Sequence, residues 1–294
     1  MKLTDWPALA NQNTPIVAVE YHTPDRMQIL QQFYHWGEER SLSVFVWNPG
    51  YCGLQKLIQH QGQYILQSTD RGKDGDIIQY LLEEYQSGIY LLEGMLNEGD
   101  ASKISQKCSY QLLNACHQAL WSQQHHYWVL LETYVQLPLG LQPFIPVLSN
   151  PLPDQQQVQI VVEQFCDAWV GSSHPRLQQF AECDRNSWLK TTEKTSALQL
   201  LFLACQGLPI GEINMLLQQC LGFTKRLEEI AQLVLEHKVS KLRGRGLEYI
   251  AQPDVPSAGG LDLLEKRLET ITCLLQPKAK QYGLKFPTGM LLWG

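Results

Sequence analysis

Short β-branched apolar runs, each followed by a stretch of helical period, recur through the first half of this chain. That alternation restricts its fold more than any other feature. Ile16-Val17-Ala18-Val19 is apolar at every position, the mark of a parallel strand covered on both faces. Thr23 and Pro24 then offer a helix cap and a first helical residue. Met27, Leu30, Phe33 and Tyr34 recur at helical spacing as far as Arg40. Val44-Phe45-Val46-Trp47 reads as a second strand, stopped by Asn48-Pro49-Gly50. Residues 74–87 read as a helix through Ile77, Ile78, Leu81 and Leu82, and Gly88 opens the strand Ile89-Tyr90-Leu91-Leu92. Residues 103–122 read as a helix through Ile104, Cys108, Leu112, Ala115 and Ala119, followed by the strand Trp128-Val129-Leu130-Leu131 and a further one at Pro146-Val147-Leu148. Repeated βα units predict a parallel sheet with helices on both faces.

From about residue 154 the period is helical only. Asp154 is placed to cap a helix whose stripe is Val158, Val161, Val162, Phe165 and Trp169. Residues 196–206 form a second helix closed by Gly207, 210–221 a third closed by Gly222, and 224–237 a fourth. Pro143, Pro146, Pro151 and Pro153 mark the hinge before them. The chain thus divides into an α/β core over 1–150 and an all-helical subdomain over 151–240, followed by residues 241–294.

Ligands of such sheets sit outside the carboxyl ends of the strands. The first strand ends in Glu20-Tyr21-His22-Thr23-Pro24, with neither the glycines nor the lysine of a phosphate cradle. Glu93 and Glu132 end two further strands. With Glu20 they can line one acidic cleft at the hinge, where a triphosphate would meet repulsion of about 4 kcal/mol per pair at 4 Å. The plainer reading, adopted here, is that all three are solvated strand-end residues. His22 has no identifiable nucleophile beside it.

Eight cysteines are scattered without a CxxC pair, and Cys108, Cys116 and His117, with or without His125 and His126, match no usual zinc spacing. Cys166 and Cys205 read as small buried hydrophobes, which suits a reducing compartment. Lys and Arg number 23 against 29 Asp and Glu, a net charge of −6, without the basic footprint of a nucleic-acid binder. The corner at Gly207-Leu208-Pro209 looks like a helix-turn-helix, but its second helix carries no Lys or Arg for phosphates. Lys238, Lys241, Arg243 and Arg245 form the one basic cluster, read as a solvated helix end. No apolar run approaches the roughly 20 residues of a membrane span, and the N-terminus lacks a signal core, so the chain is expected to be soluble and intracellular.

The last stretch carries a resemblance. Ala258-Gly259-Gly260-Leu261-Asp262 precedes an amphipathic segment through Leu264, Leu268, Ile271 and Leu275, and the chain closes on YGLKFPTGMLLWG. This resembles the opening of an AAA+ ATPase module, in which a Gly-Gly-Leu segment, a helix and a strand lead into the phosphate loop. Gly294 stands where the first glycine of that loop would be. Together with TPDRMQILQQF, FVWN, IYLLEG, PFIPVLSNPLPD and LLFLACQGLPIGEI in that order, nearly the whole chain resembles the N-terminal half of one family. That family is the cyanobacterial and plastid AAA+ ATPase known as hypothetical chloroplast reading frame forty-six.

The resemblance implies a P-loop-NTPase-like parallel sheet flanked by helices, a degenerate AAA core, followed by a helical lid-like subdomain and, over 241–294, a linker and the truncated start of a second AAA+ module. Glu93-Gly94 falls where a working module has its Asp-Glu pair, Thr133 falls near the sensor position, and Thr288 replaces a frequent basic residue. It implies no catalytic residue and no metal ligand in this chain, and nucleotide contacts only at Gly259, Gly260 and Gly294. ATP and Mg²⁺ would serve the full-length family member in a later module, and neither is expected here. Partners would be proteins or further copies in an oligomer, with no membrane and no nucleic acid, in the cyanobacterial cytoplasm or plastid stroma. The alternatives are a stand-alone binding or regulatory protein without ATPase activity, and an enzyme using His22 and the strand-end carboxylates. The tail from about 277 is expected to be poorly ordered or borrowed by a neighbouring chain.

Overall fold

The computed structural model describes residues 1–12, 14–73, 76–84, 86–96, 104–121, 126–171, 191–220, 227–244, 262–274 and 282. Seven strands make one sheet: β1 (Ile16–Glu20), β2 (Ser43–Trp47), β3 (Gln55–His60), β4 (Gln63–Ser68), β5 (Gly88–Glu93), β6 (His126–Glu132) and β7 (Val147–Ser149), in the order β4-β3-β2-β5-β6-β1-β7. The five strands expected from the apolar runs are all present and mutually parallel. The antiparallel hairpin β3–β4 departs from the all-parallel expectation. Its sequences, QKLIQH and QYILQS, mix glutamines with single apolar residues instead of forming an apolar run. Its two-residue turn, Gln61-Gly62, has φ of 50° and 77°. Both central residues in the left-handed region define the turn whose twist matches that of the flanking strands.

Side-chain alternation along the parallel strands feeds two separate cores. Ile16 and Ala18 of β1, Tyr90 and Leu92 of β5, and Trp128 and Leu130 of β6 face one side. There they pack against α3 (Ile77–Glu83) and α4 (Gln106–Trp121). Val17, Val19, Leu91, Val129 and Leu131 face the other, against α1 (Trp6–Asn11) and α2 (Arg26–Glu39). The helix α1 has no counterpart in the sequence reading; Trp6 pins it, stacked on Trp36 at 5.1 Å and edge-on to Phe33 at 5.2 Å.

Several boundaries moved: the helix expected over 196–206 begins at Thr191, and the one expected over 224–237 runs on to Gly244. The predicted helix 74–87 is α3, shorter because Asp76 is its N-cap, accepting from the amides of Ile78 and Gln79. Helix α2 begins at Arg26, after a 3₁₀ turn over Thr23–Asp25, so Thr23 does not cap it directly.

The helical part comprises α5 (Gln155–Gly171), α6 (Thr191–Cys205), α7 (Ile210–Cys220) and α8 (Leu227–Gly244). Asp154 caps α5 as its sequence predicts: Gln157 N–H donates to the Asp154 carboxylate at 2.8 Å and the Gln157 side chain accepts from Asp154 N–H at 2.9 Å. Gly207, at φ 78°, ends the helix before the α6–α7 corner. Val158, Val162, Leu201, Leu217, Ile230 and Val234 centre a third core of their own. Cys166 and Cys205 lie in it, 5% and 0% exposed, as small hydrophobes. Trp169's side chain, Gly222 and Arg245 lie outside the described residues.

By its contacts the chain forms two compact units, Met1–His237 and Lys238–Gly294. The sheet and the helical part share the first. In the second, α9 (Asp262–Leu274) is the expected amphipathic segment. Gly259, Gly260, Thr288 and Gly294, and the tail from 277 apart from Tyr282, lie outside the described residues. Among the described residues no helix is long and apolar enough to cross a membrane.

Candidate functional site

The parallel strands run in the order β2-β5-β6-β1-β7, and the chain leaves β1 for β2 through α2 on one face of the sheet and returns to β5 and β6 through α3 and α4 on the other. The carboxyl end of β1 is therefore the switch point where such sheets hold ligands. Here it carries Tyr21, His22 and the turn Thr23–Asp25, followed by the first turn of α2.

Arg26 on that first turn reaches the end of β5. Its Nε donates to Glu93 Oε1 at 2.6 Å and its Nη2 to Glu93 Oε2 at 2.8 Å, a two-pronged pair. Asn48, just past β2, donates to Glu93 Oε2 at 2.9 Å, and Arg26 Nη2 also donates to Tyr51 Oη at 3.2 Å. The Glu93 side chain is 8% exposed and Arg26 27%. Hydrogen bonding to Glu93 holds the guanidinium more firmly charged despite its burial. Tyr21 lies beside the pair. Burial first, then the charge of Glu93, pushes its hydroxyl up to about 12, with Arg26 opposing.

The other two carboxylates are tethers as well. Glu132 Oε1 accepts from the amide of Leu96 at 2.6 Å, fixing the loop after β5, and Glu20 Oε2 accepts from the amide of Val135 at 3.4 Å. Glu93 and Glu132 are buried. Two corrections follow: these residues are not solvated strand ends, and the edge is not simply acidic, because Arg26 neutralises Glu93.

Asp25 makes the second arrangement. Its carboxylate is buried and accepts from Gly211 N–H at 2.7 Å and from the Asn150 side chain at 3.1 Å. Gly211 is in the first turn of α7, so the anion sits on a helix N-terminus, where backbone amides and the helix dipole favour it. Burial nonetheless raises the Asp25 carboxyl, with the Gly211 hydrogen bond and His22 opposing that rise. The approach is close: a Cβ on Gly211 would lie 1.8 Å from the carbonyl oxygen of Pro24. At this point the sheet part and the helical part meet in a direct backbone contact. Glu212 beside it is buried and its Oε1 meets His237 Nε2 at 2.7 Å, tying α7 to α8.

His22 flanks Asp25 and is half-buried; Thr133 is exposed past β6. Cys108 and Cys116 are buried, burial pushes the Cys116 thiol up to about 11, and the His117 ring packs on Phe144 at 5.2 Å. Lys238 and Lys241 fall in the last turns of α8. Arg26, Asp25, Asn48 and Gly211 are the residues sequence reasoning did not single out. The places of Asp25, Arg26 and Asn48 just past strands, and of Gly211 at a helix start, were readable, but their partners were not.

No protein-family model matches the sequence, and no curated protein matches it. Solved structures resemble it at low identity. Aeropyrum pernix ORC2, solved with ADPNP and ADP, gives a TM-score of 0.43 at 12% identity, over 97% of this chain and 81% of that one. C. elegans PCH-2 gives 0.42 at 12% identity, over 80% of this chain and 66% of that one, so this chain spans just under two thirds of that relative. The E. coli MS115-1 HORMA:CdnC:Trip13 complex gives 0.33 at 9% identity, over 72% and 74%. Overlaps this loose decide neither the chemistry nor the partners of this chain.

Proposed function

We propose that this chain is a degenerate AAA-like module that neither holds nor hydrolyses ATP and acts by contacting other protein chains, a partner or further copies of itself. In this proposal ATP and Mg²⁺ belong to another module of an AAA+ ATPase, and Gly259, Gly260 and Gly294 are the residues of this chain nearest to that chemistry. The cyanobacterial cytoplasm or plastid stroma belongs to the same proposal. One observation carries it. At the switch point the chain places its own carboxylate, Asp25, on its own helix N-terminus, with Gly211 against the Pro24 carbonyl. A phosphate cradle works by presenting amides and a cation to the nucleotide. Here the amide of Gly211 is taken by Asp25 and the cation of Arg26 by Glu93.

The test is titration of the chain with a fluorescent ATP analogue and Mg²⁺, with phosphate release followed in parallel. No saturable binding and no release above a protein-free blank are expected. Saturable binding that protects residues 20–26 from amide exchange, or release that disappears in Glu93→Gln, overturns the proposal.

A further inference from the structure

The two edges of the sheet are treated differently. At one end β7 has three residues, and the N-terminus covers it: Lys2 bridges Ser149, whose amide donates to the Met1 carbonyl at 2.9 Å. At the other end β4 has six residues and, among the described residues, pairs only with β3. Proteins usually blunt such an edge with a charge, a proline or a bulge. QYILQS holds no charged residue and no proline, and it matches β3 at all six positions from Gln55↔Ser68 to His60↔Gln63 without a bulge. With a two-residue turn, the closing pair His60 and Gln63 exchange hydrogen bonds, and alternation then assigns Gln63, Ile65 and Gln67 to β3. The N–H and C=O groups of Tyr64, Leu66 and Ser68 point outward from the sheet.

We infer that the free edge of β4 is the contact through which two copies of this chain pair, antiparallel, into one continuous sheet. The absence of charge selects a second copy as the occupant. A twofold axis through Leu66 sets Leu66 against Leu66, Tyr64 against Ser68 and Ile65 against Gln67 of the partner copy, and like charges directly opposite would oppose such self-pairing. All three outward positions then exchange hydrogen bonds. Ile65, 42% exposed on the sheet face away from α2, gains the cover of the opposing Gln67. Tyr64 is already oriented for this, its hydroxyl 2.8 Å from His35 Nε2 and its ring edge-on to Tyr34. The inference rests on the assembly reading above and gives it a surface.

Sedimentation velocity of the chain over a hundredfold concentration range tests it. A species of twice the monomer mass is expected, with slower amide exchange over residues 64–68 as concentration rises. The double variant Ile65→Lys, Gln67→Lys alters two exposed side chains and brings lysines together across the axis, so dissociation should strengthen at least tenfold. Leu66→Pro removes an outward N–H while leaving the β3-facing donors, and should do the same. An oligomer that persists unchanged in a folded form of either variant overturns the edge pairing and leaves assembly standing. A monomer at every concentration, with exchange over 64–68 independent of concentration, overturns edge pairing and self-assembly alike and leaves contact with a different protein as the proposed function.

Discussion

At the Arg26–Glu93 pair a charge has been spent on architecture. A partly buried guanidinium keeps its counter-ion because removing one member strands the other. Glu93→Gln should therefore lower stability by about 2 kcal/mol, below the full cost of a deeply buried pair since Arg26 retains some water. The apolar double variant Arg26→Met, Glu93→Leu should lose less than that single change; urea unfolding midpoints decide. His126 offers a pH test. Its ring packs edge-on to Tyr90 at 4.5 Å, and Trp128 Nε1 donates to its Nε2 at 3.4 Å, which requires the neutral ring. Burial pulls its pKa down from 6.5 to about 4. The unfolded chain thus takes up the proton first as pH falls, so this contribution is whole above pH 6.5 and is lost toward pH 4. The loss amounts to about 3 kcal/mol. His126→Phe should flatten the fall in unfolding midpoint between pH 7 and pH 4.5 relative to the parent chain.

At the scale of elements, the contact of α7 with the turn Thr23–Asp25 depends on a missing side chain. A methyl group on Gly211 cannot share space with a carbonyl oxygen 1.8 Å away, so the helix must retreat, and the Asp25–Gly211 hydrogen bond is lost with it. Gly211→Ala should cost about 2–3 kcal/mol, the range of overpacked contacts. Amide exchange should show where: protection falls over 210–220 and stays unchanged in β1 and β6. Loss of protection throughout the sheet would contradict this placement. The hairpin β3–β4 depends on its turn in the same way, because Gly62 at φ 77° tolerates asparagine far better than valine.

For the molecule as a whole, the α/β part and the helical part have separate cores yet lie in one compact unit. The links between them include Asp25–Gly211 and Asn150–Asp25. Tight coupling makes separate cores melt together. The parent chain should show coincident thermal transitions for tryptophan fluorescence, which reports mainly the sheet side through Trp6, Trp36 and Trp128, and for far-ultraviolet helix signal. Gly211→Ala should pull the two apart, with helix lost first. Coincident curves in that variant would mean that other contacts hold the halves together.

The succession of strands and helices along the chain, the burial of the apolar strands on both faces and the capping of α5 by Asp154 are legible in the residues themselves. All of these follow from period, β-branching and cap chemistry within a few residues. The hairpin β3–β4 was less legible, since glutamine-rich strands at an edge lack the apolar run that marks a central strand. The lateral order of the strands and the state of the candidate site are settled only where distant elements meet. Glu93 meets Arg26 from 67 residues away and Asp25 meets Gly211 from 186. A carboxylate at a strand end looks the same in sequence whether it is solvated, catalytic or paired. The difference lies in the local field and in which atoms have been excluded, and those are set by elements that meet only when the sheet has formed.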